Sequence, residues 1–395
     1  MEKFVFSAPT EIVFGKDAEL QVAKQIEKWN GSRVLIVYGS GSVVRSGLLA
    51  KIEGILDDAG MIYKTIGGVK ANPVLSFAEN GVKEAVEFGA DFILAVGGGS
   101  VIDTAKGIAI GSSHVKEQLW DIWSGKVKVE GSLPVGVVLT ISAAGSETST
   151  SAVLTNEETG KKSGCASRVE RPKFAIMNPE LTYTVPRYQI ACGIVDIMMH
   201  TLERYFTTMP KGNQMTDEIA EGLLRTVIEH GRRAYKDSAD YEAMSELMWC
   251  GSLSHNDITG LGRPRDFTVH KFGHELSAKF DTAHGASLSV IWATWARHVC
   301  ELDYPRFQRY ARKVWGIDIE DEKDAALAGI EATEAYFKEL EMPICLGELE
   351  AGVLSEEIIR ELADRTTNYG AITIGNFKKL DTQEVYEIYK KANHA

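Results

Sequence analysis

Apolar positions change their period about halfway along this chain. Up to about residue 186, short continuous apolar runs alternate with stretches in which apolar residues recur every three or four positions. Strands are predicted at 4–6, 12–14, 34–38, 61–66, 92–96, 135–139, 152–155 and 174–177. Helices are predicted at 17–29, 43–59, 75–88 and 101–110. Such alternation is typical of a parallel sheet that helices cover on both faces.

Beyond residue 186 the apolar period stays close to 3.6. Long helices are predicted at 189–206, 214–235, 241–255, 286–299 and 325–340. We therefore expect a Rossmann-like α/β domain at 1–186, followed by an all-helical domain at 187–395.

Composition and charge exclude several classes of protein. The 395 residues carry a formal net charge of −12, which disfavours nucleic acid and anionic membranes as partners. No apolar run approaches the length of about 18 residues that a membrane span needs, and the first ten residues do not resemble a secretory signal, so we expect a cytoplasmic protein. The five cysteines never form a CxxC pair, and neither a disulfide framework nor a thiolate zinc site is indicated.

Two glycine turns follow predicted strands of the first half. Their residues are Gly39, Ser40, Gly41 and Ser42 in the first turn, and Gly97, Gly98, Gly99 and Ser100 in the second. Neither turn matches the fingerprint G-x-G-x-x-G, because Val44 and Ile102 stand at the third glycine position. A strand, a glycine bend and a helix start still direct backbone N–H groups and a helix dipole at one point, which suits a phosphate. The alternative is that the glycines only form tight turns.

Histidine and aspartate residues in the second half have the spacing of metal ligands. Asp196 and His200 lie four residues apart on a predicted helix, so both emerge on one face. His270, His274 and His284 follow in a second stretch. A carboxylate with several imidazoles is a ligand set for Zn²⁺ or Fe²⁺. Each pair alone is more often a capping, surface or core pair, and the spacing leaves His270 and His274 interchangeable.

Three motifs together resemble one enzyme family. The segments "VGGGSVIDTAKGIA", "ACGIVDIMMHTLERYF" and "HKFGHELSAKFDTAHG" are similar to motifs of the iron-containing (group III) alcohol dehydrogenases, particularly the butanol-dehydrogenase-like branch of NAD(P)H-dependent aldehyde reductases. The similarity extends from "FVFSAPTEIVFG" to near residue 390. It implies a dehydroquinate-synthase-like fold, a dinucleotide-binding domain at 1–186 and a metal-binding catalytic domain at 187–395. It also implies hydride transfer between NAD(P)H and a small alcohol or aldehyde such as butanol or butyraldehyde.

The resemblance assigns individual roles by position. It implies that the metal ligands, for Fe²⁺ or Zn²⁺, are Asp196, His200, His270 and His284. His274 would stand near the metal without binding it, either as a proton relay or as a residue that orients a ligand or substrate. The implied cofactor-binding residues are Asn72, Gly97, Gly98, Gly99, Ser100, Asp103, Thr140 and Lys162.

The first glycine turn bears on the choice of cofactor. Relatives that prefer NAD often carry an aspartate where this chain has Gly39, and no acidic residue follows until Glu53. The small residues leave room for a 2′-phosphate, and the hydroxyls of Ser40 and Ser42 with the cation of Arg45 favour binding it. We therefore expect both NADP(H) and NAD(H) to be used, with NADPH accepted at least as well as NADH.

Two departures from the family pattern and two alternative functions remain. Phe267 stands where relatives usually have tryptophan or another apolar residue, and Ser149 where they often have asparagine, which predicts a changed pocket shape. A glycerol- or diol-type dehydrogenase is one alternative. A non-redox lyase like dehydroquinate synthase is another, although it needs more basic residues than Arg263, Arg265 and Lys271. A homodimer built on the N-terminal strands is also expected.

Overall fold

The computed structural model describes residues 1–208 and 212–395. Its internal contacts divide the chain into two compact units. The first unit is Ser7–Val185, and the second comprises Met1–Phe6 together with Pro186–Ala395. The division at Val185 lies beside the change of apolar period at residue 186, whereas the first six residues pack with the helical unit.

The first unit contains one parallel sheet with helices. Its strands are β1 Glu11–Phe14, β2 Arg33–Gly39, β3 Ile62–Val69, β4 Phe92–Gly97, β5 Val135–Leu139, β6 Ser151–Asn156, β7 Lys161–Ala166 and β8 Phe174–Met177. Its helices are α1 Val22–Lys28, α2 Ser42–Arg45, α3 Leu48–Asp58, α4 Leu75–Phe88, α5 Gly99–Ser113 and α6 Leu119–Trp123. Six strands form the sheet in the order β1-β8-β5-β4-β2-β3, and β6 and β7 form a separate antiparallel pair.

The central strands explain why the sheet is buried on both faces. All six residues of β4 and all five of β5 are buried, as their continuous apolar sequences predict for parallel strands between helices. Tyr38 of β2 pairs with Val96 of β4, and Gly97 pairs with Leu139 of β5. The carboxyl ends of three neighbouring strands therefore lie side by side, and the segments after them meet at one edge of the sheet.

Several predicted boundaries were wrong, each for a local reason. Residues 4–6 form no strand in the structure. The helix predicted at 43–59 is divided into α2 and α3, because Gly47 between them adopts a left-handed φ of 79°. The helix predicted from residue 101 already begins at Gly99, and the polar strand β7 was not predicted at all. The second glycine turn is thus partly the first turn of α5.

The second unit is built of helices. They are α7 Arg187–Tyr205, α8 Gln214–Lys236, α9 Tyr241–His255, α10 Thr268–Phe280, α11 His284–Val299, α12 Tyr304–Trp315, α13 Glu322–Glu339, α14 Glu356–Thr366 and α15 Thr382–Ala392. Among the described residues, no helix has the length and apolar character needed to cross a membrane.

Helix α7 lies at the centre of the second unit and packs against α8, α9, α10 and α11. Nearly every side chain from Ile190 to Tyr205 is buried, including Asp196, His200 and Glu203. Burying charged and polar groups is costly unless they are paired or bind a ligand. The polar residues of α7 therefore need a partner.

Candidate functional site

One face of α7 carries three of the polar residues. Asp196, His200 and Glu203 stand at positions i, i+4 and i+7, which fall on the same side of a helix. The Nδ1 atom of His200 lies 3.3 Å from Oδ1 of Asp196. Both side chains are almost completely buried.

Two further histidines approach the same carboxylate oxygen from other helices. The third residue of α10 is His270, whose Nε2 lies 3.6 Å from Oδ1 of Asp196. The first residue of α11 is His284, whose Nε2 lies 3.7 Å from the same oxygen. Each of Asp196, His270 and His284 offers one ligand atom, and these three atoms all lie within 4.8 Å of one another. His200 adjoins this group through Asp196 but is not a member of the compact set.

The donor atoms of this cluster fit a divalent cation. Asp196 Oδ1, His200 Nδ1 and His270 Nε2 are buried and form no hydrogen bond with any described residue. Buried polar atoms without partners are rare and costly, so their convergence calls for a ligand. A carboxylate oxygen with imidazole nitrogens and no thiolate suits Zn²⁺ or Fe²⁺.

The cluster also perturbs the protonation of its own histidines. Burial, together with neighbouring His255 and His270, lowers the pKa of His200 well below its usual range, which favours the neutral form that ligates metals. Burial also disfavours charge on His270. The carboxylates of Glu203 and Asp196 outweigh that effect and raise the pKa of His270 to about 9. Ligation of a metal through Nε2 of His270 requires that this nitrogen carry no proton.

His274 stands beside the cluster. It follows His270 by one helical turn, and its ring centroid lies 5.8 Å from that of His284 and 6.3 Å from that of His270. Its side chain is only partly buried. His274 therefore lies beside the histidine cluster but outside its compact set, and its chemical role stays a prediction.

Sequence reasoning missed several residues around the histidines. Glu203 accepts hydrogen bonds from His270, and the sequence signal was its spacing of three residues after His200. Arg204 donates to the carbonyl of His200 at 2.6 Å and contacts Nδ1 of His255 at 3.1 Å. The ring centroids of His255 and His200 are 4.0 Å apart. His255 was not predicted, because it ends a different helix, α9, and has no regular sequence spacing to the other histidines.

Phe267 occupies a strained position beside the cluster. Its φ of 55° is left-handed, which is uncommon for a bulky residue and concentrates at functional sites. The centroid of the Phe267 ring lies 5.2 Å from the ring centroid of His270 and 4.8 Å from the guanidinium carbon of Arg204. Phe267 therefore packs against the histidine cluster, and its predicted influence on pocket shape stays a prediction.

In the first unit, the two glycine turns lie next to each other. They follow the neighbouring strands β2 and β4, and a Cβ built on Gly39 would lie 3.7 Å from the side chain of Val101 in α5. Thr140 donates its backbone N–H to the carbonyl of Gly97 at 3.1 Å. Three segments predicted to bind the nucleotide therefore adjoin one another at this sheet edge.

Close packing also constrains the second turn. A Cβ at Gly98 would lie 2.2 Å from Cγ2 of Ile141, and one at Gly99 would lie 3.2 Å from Cβ of Ala144. The glycines thus allow the segment after β5 to approach the start of α5. Close packing accounts for glycine at positions 98 and 99 as well as the predicted phosphate binding does.

The remaining predicted nucleotide residues belong to the same region. Ser100 donates its hydroxyl to the carbonyl of Ala71, the neighbour of Asn72. Asn72 Oδ1 in turn accepts a hydrogen bond from Lys162 Nζ at 3.0 Å. Asn72, Ser100 and Lys162 are therefore brought together from three distant parts of the sequence.

Asp103 and the unpredicted Lys106 fix the segment that packs on the turn. The carboxylate of Asp103 accepts hydrogen bonds from the Ser146 hydroxyl and, at 2.9 Å, from the N–H of Val153. Lys106, fully buried, donates to oxygen atoms of Ser149 and Ser151. The contribution of Asp103 to nucleotide binding is thus expected to be indirect, and Ser149 lies in this buried network.

The basic residues that a non-redox lyase would use are largely engaged in the fold. Arg263 is buried and paired with Asp217, and its guanidinium also donates to the carbonyl of Thr259. Arg265 forms an ion pair with Asp257 at 2.8 Å. These contacts argue against a site that grips a substrate carboxylate and phosphate with these arginines.

Comparison with known proteins agrees with the geometry. Residues 9–179 match the family model for iron-containing alcohol dehydrogenase, and residues 190–393 match the C-terminal model of the same family. The chain is 38% identical to NADH-dependent butanol dehydrogenase A of Clostridium acetobutylicum, covering 99% of this chain and 100% of that protein. It is 33% identical to the NADPH-dependent aldehyde reductase YqhD of Escherichia coli, with 99% and 100% covered.

A solved structure gives the same result for the fold. The crystal structure of NADH-dependent butanol dehydrogenase A from Thermotoga maritima superposes with a TM-score of 0.94 at 35% identity, covering 100% of this chain and 99% of that one. Since the family models match both units and relatives at least 33% identical align along the whole chain, this protein belongs to the iron-containing alcohol dehydrogenase family of NAD(P)-dependent oxidoreductases.

Proposed function

We propose that this enzyme interconverts small aldehydes and primary alcohols of about the size of butyraldehyde and butanol, with a nicotinamide nucleotide as the hydride carrier. The observation that carries the proposal is the convergence of Asp196, His270 and His284, whose ligand atoms lie within 4.8 Å of one another. The butanol dehydrogenases and the aldehyde reductase among its relatives support the substrate class.

Four side chains are proposed to hold one Fe²⁺ or Zn²⁺ ion: Asp196, His200, His270 and His284. Such an ion supplies, when bound, the Lewis-acid polarisation of a carbonyl oxygen that makes its carbon accept hydride. The partly buried His274 is proposed to deliver the proton to the product oxygen, since imidazole suits proton transfer near neutral pH. An orienting role through hydrogen bonding is the alternative for this residue.

The nucleotide is proposed to lie on the first unit. The N-terminus of α5 and the backbone of Gly97, Gly98 and Gly99 would hold its pyrophosphate, as the dipole and free N–H groups of a helix start favour anions. Asn72, Thr140 and Lys162 would line the rest of the nucleotide. The hydride itself comes from the nicotinamide ring.

We further propose that NADPH is accepted at least as well as NADH. The first glycine turn offers no carboxylate to repel a 2′-phosphate, and its residues Ser40 and Ser42 are exposed. A Cβ built on Gly41 would lie 3.2 Å from Nη1 of Arg45, so this cation lies against the turn. The guanidinium is therefore available to an added phosphate.

The test follows the absorbance of the nicotinamide ring. Purified protein is given NADPH or NADH with butyraldehyde, before and after removal of metal by a chelator, and then with Fe²⁺ or Zn²⁺ restored. We expect oxidation of the cofactor that is lost on chelation and regained with metal. Activity that survives complete metal removal would refute the metal proposal. In the reverse direction, faster reduction of NAD⁺ or NADP⁺ with glycerol than with butanol would favour the diol-type alternative.

A homodimer is proposed through the N-terminal edge of the sheet. Strand β1 is at one end of the strand order, and an unpaired strand edge is a template for another chain. Phe4, Val5, Phe6 and Phe14 expose apolar surface nearby in sequence. A chain lacking residues 1–8 loses Phe4, Val5 and Phe6 but keeps β1, and light scattering is expected to show that its dimer is weakened. An unchanged dimer would contradict the contribution of residues 1–8.

A further inference from the structure

We infer that Glu203 is a positioning residue that presents Nε2 of His270 to the metal ion. The inference rests on the metal site put forward under the proposed function, and it assigns a role to a side chain that is not itself a proposed ligand. Glu203 belongs to α7, whereas His270 belongs to α10. The carboxylate is fully buried.

The backbone N–H and the Nδ1–H of His270 both point at this one carboxylate. Oε1 of Glu203 accepts a hydrogen bond from the backbone N–H of His270 at 3.1 Å, and Oε2 accepts one from Nδ1. An imidazole that donates from Nδ1 has its lone pair on Nε2 once the second proton has left. In this structure Nε2 is the atom that lies 3.6 Å from Asp196. Glu203 thus selects both the orientation and the tautomer of the ring.

The same carboxylate also completes the start of α10. The first N–H groups of a helix lack partners within the helix, and Phe267, which precedes α10, provides no side-chain cap in the described structure. Asp266 accepts from the N–H of Thr268 at 3.0 Å, and Glu203 accepts from the N–H of His270, the third residue of the helix. The positive end of the helix dipole in turn favours a carboxylate at this place.

A second contact keeps α10 in register with α7. The backbone N–H of Asp266 donates to the carbonyl of Glu203 at 3.0 Å. The segment from Asp266 to His270 is therefore attached to Glu203 through its backbone and its side chain. This attachment spans Phe267, whose left-handed φ must be maintained by its surroundings.

Substitution by glutamine separates this role from simple packing. The side chain of Glu203→Gln keeps its size but offers one acceptor and one NH₂ donor to the two N–H groups of His270. If the amide oxygen caps the backbone, the NH₂ group faces Nδ1 and favours the tautomer with the proton on Nε2, which cannot ligate. We expect metal affinity to fall about 10–100-fold, the range for lost carboxylate partners of ligating histidines.

The chain offers a matched control in Glu221. This glutamate is also fully buried in the second unit, but its carboxylate binds the Tyr205 hydroxyl at 2.8 Å and the guanidinium of Arg309 at 2.9 Å. None of the proposed metal ligands is among these partners. Glu221→Gln is therefore expected to cost stability through a weakened ion pair and to leave metal affinity unchanged.

The experiment measures metal affinity and stability on the full-length protein. Metal-free wild type, Glu203→Gln, Glu203→Ala and Glu221→Gln are titrated with Zn²⁺ in competition with a chromophoric chelator, and each metal-free form is thermally unfolded. Weaker Zn²⁺ binding by Glu203→Gln with unchanged binding by Glu221→Gln supports the inference. Glu203→Ala removes the acceptor entirely and is expected to bind no more tightly than Glu203→Gln.

Two results would overturn it. One is wild-type Zn²⁺ affinity in folded Glu203→Gln, and the other is an equal loss in Glu203→Gln and Glu221→Gln, which would indicate general destabilisation. Failure of the proposed function has a different signature. In that case wild type itself fails to bind one Zn²⁺ per chain, and the metal site falls together with the role of Glu203.

Discussion

The two units of this enzyme differ in whether backbone atoms or side chains form the candidate site. In the first unit the site consists mainly of backbone, where the turns after β2 and β4 meet the start of α5. In the second unit it consists of side chains from α7, α10 and α11 around Asp196. A glycine at a turn can serve packing or ligand binding, whereas buried histidines around a carboxylate have few explanations besides a metal.

The largest effect on activity is expected when one of the proposed ligand histidines of the second unit is replaced by alanine. His270→Ala should lose the metal and lower kcat/KM by more than about a thousandfold, because a Lewis acid worth several kcal/mol is removed. Nucleotide binding should change little, since the proposed nucleotide residues belong to the other unit. Metal analysis and cofactor titration check this, with His298→Ala as a control whose histidine contacts Lys378. Full metal content in His270→Ala would contradict the ligand assignment.

The first glycine turn gives the next largest effect. A Cβ on Gly39 would have its nearest neighbours at 3.7 Å, so an aspartate side chain can start there without a clash. Gly39→Asp should shift selectivity toward NADH by about 1–3 kcal/mol, because a favourable contact with the 2′-phosphate becomes a repulsion. The ratio of kcat/KM for the two cofactors measures it, and Gly39→Ala controls for bulk. Strong NADH preference in wild type that Gly39→Asp leaves unaltered would refute the cofactor proposal.

A substitution in the second glycine turn tests whether close packing alone requires glycine at position 98. We expect Gly98→Ala to raise KM for the cofactor by roughly tenfold, a loss of about 1.4 kcal/mol, because a methyl group on the turn hinders the close approach of the pyrophosphate to its backbone. Its new Cβ would lie 2.2 Å from Ile141, so the double variant with Ile141→Ala relieves the clash. A KM that stays high in the double variant supports a phosphate cradle. Complete recovery would show that the glycine serves packing.

The smallest expected effect concerns the buried network of the first unit. Burial raises the pKa of Glu170 to about 8, against the opposing influence of Lys106. Between its ordinary pKa of 4.5 and this value, the folded protein holds a proton that the unfolded chain has released. The free energy of unfolding therefore falls as pH rises through that window.

The variant Glu170→Gln should flatten this dependence. Relative to wild type, its thermal midpoint should rise by about 2–4 °C at pH 8, the shift that 1 kcal/mol produces in a domain of this size, and change less at pH 5. Glu180→Gln, at a partly exposed ion pair with Lys16, is the control. Parallel pH profiles for wild type and Glu170→Gln would show that Glu170 does not carry the effect.

Most of the helices and strands were predicted, because the spacing of apolar residues along the chain is enough to identify them. Helix α4, strand β5 and strand β8 were placed at their observed bounds, since apolar runs and turn residues delimit them. The polar strand β7 was missed because its pairing with β6, and not its own pattern, makes it a strand. The segment at 4–6 has strand-like alternation but no partner in the sheet.

The candidate site was predictable to the extent that its residues share a local spacing. Asp196 and His200 were proposed as ligands from their separation of four residues, while the preference for His270 over His274 came only from the family resemblance and stays a prediction. Glu203 shares the helix face of the first pair, but a glutamate on a helix is ordinary until its burial is known. Lys106 was not predicted for the same reason, since lysine is almost never fully buried.

The strand order also constrains how the polypeptide becomes a sheet during synthesis. Strand β1 pairs with β8, so Glu11 meets Phe174 only after more than 160 further residues have been made. Closing so long a loop is entropically costly and slows folding. A nascent chain that ends before β8 carries a first strand with no neighbour and a β5 with one open side. The first strand to leave the ribosome is thus among the last to be hydrogen-bonded into the sheet, because its partner β8 is made last.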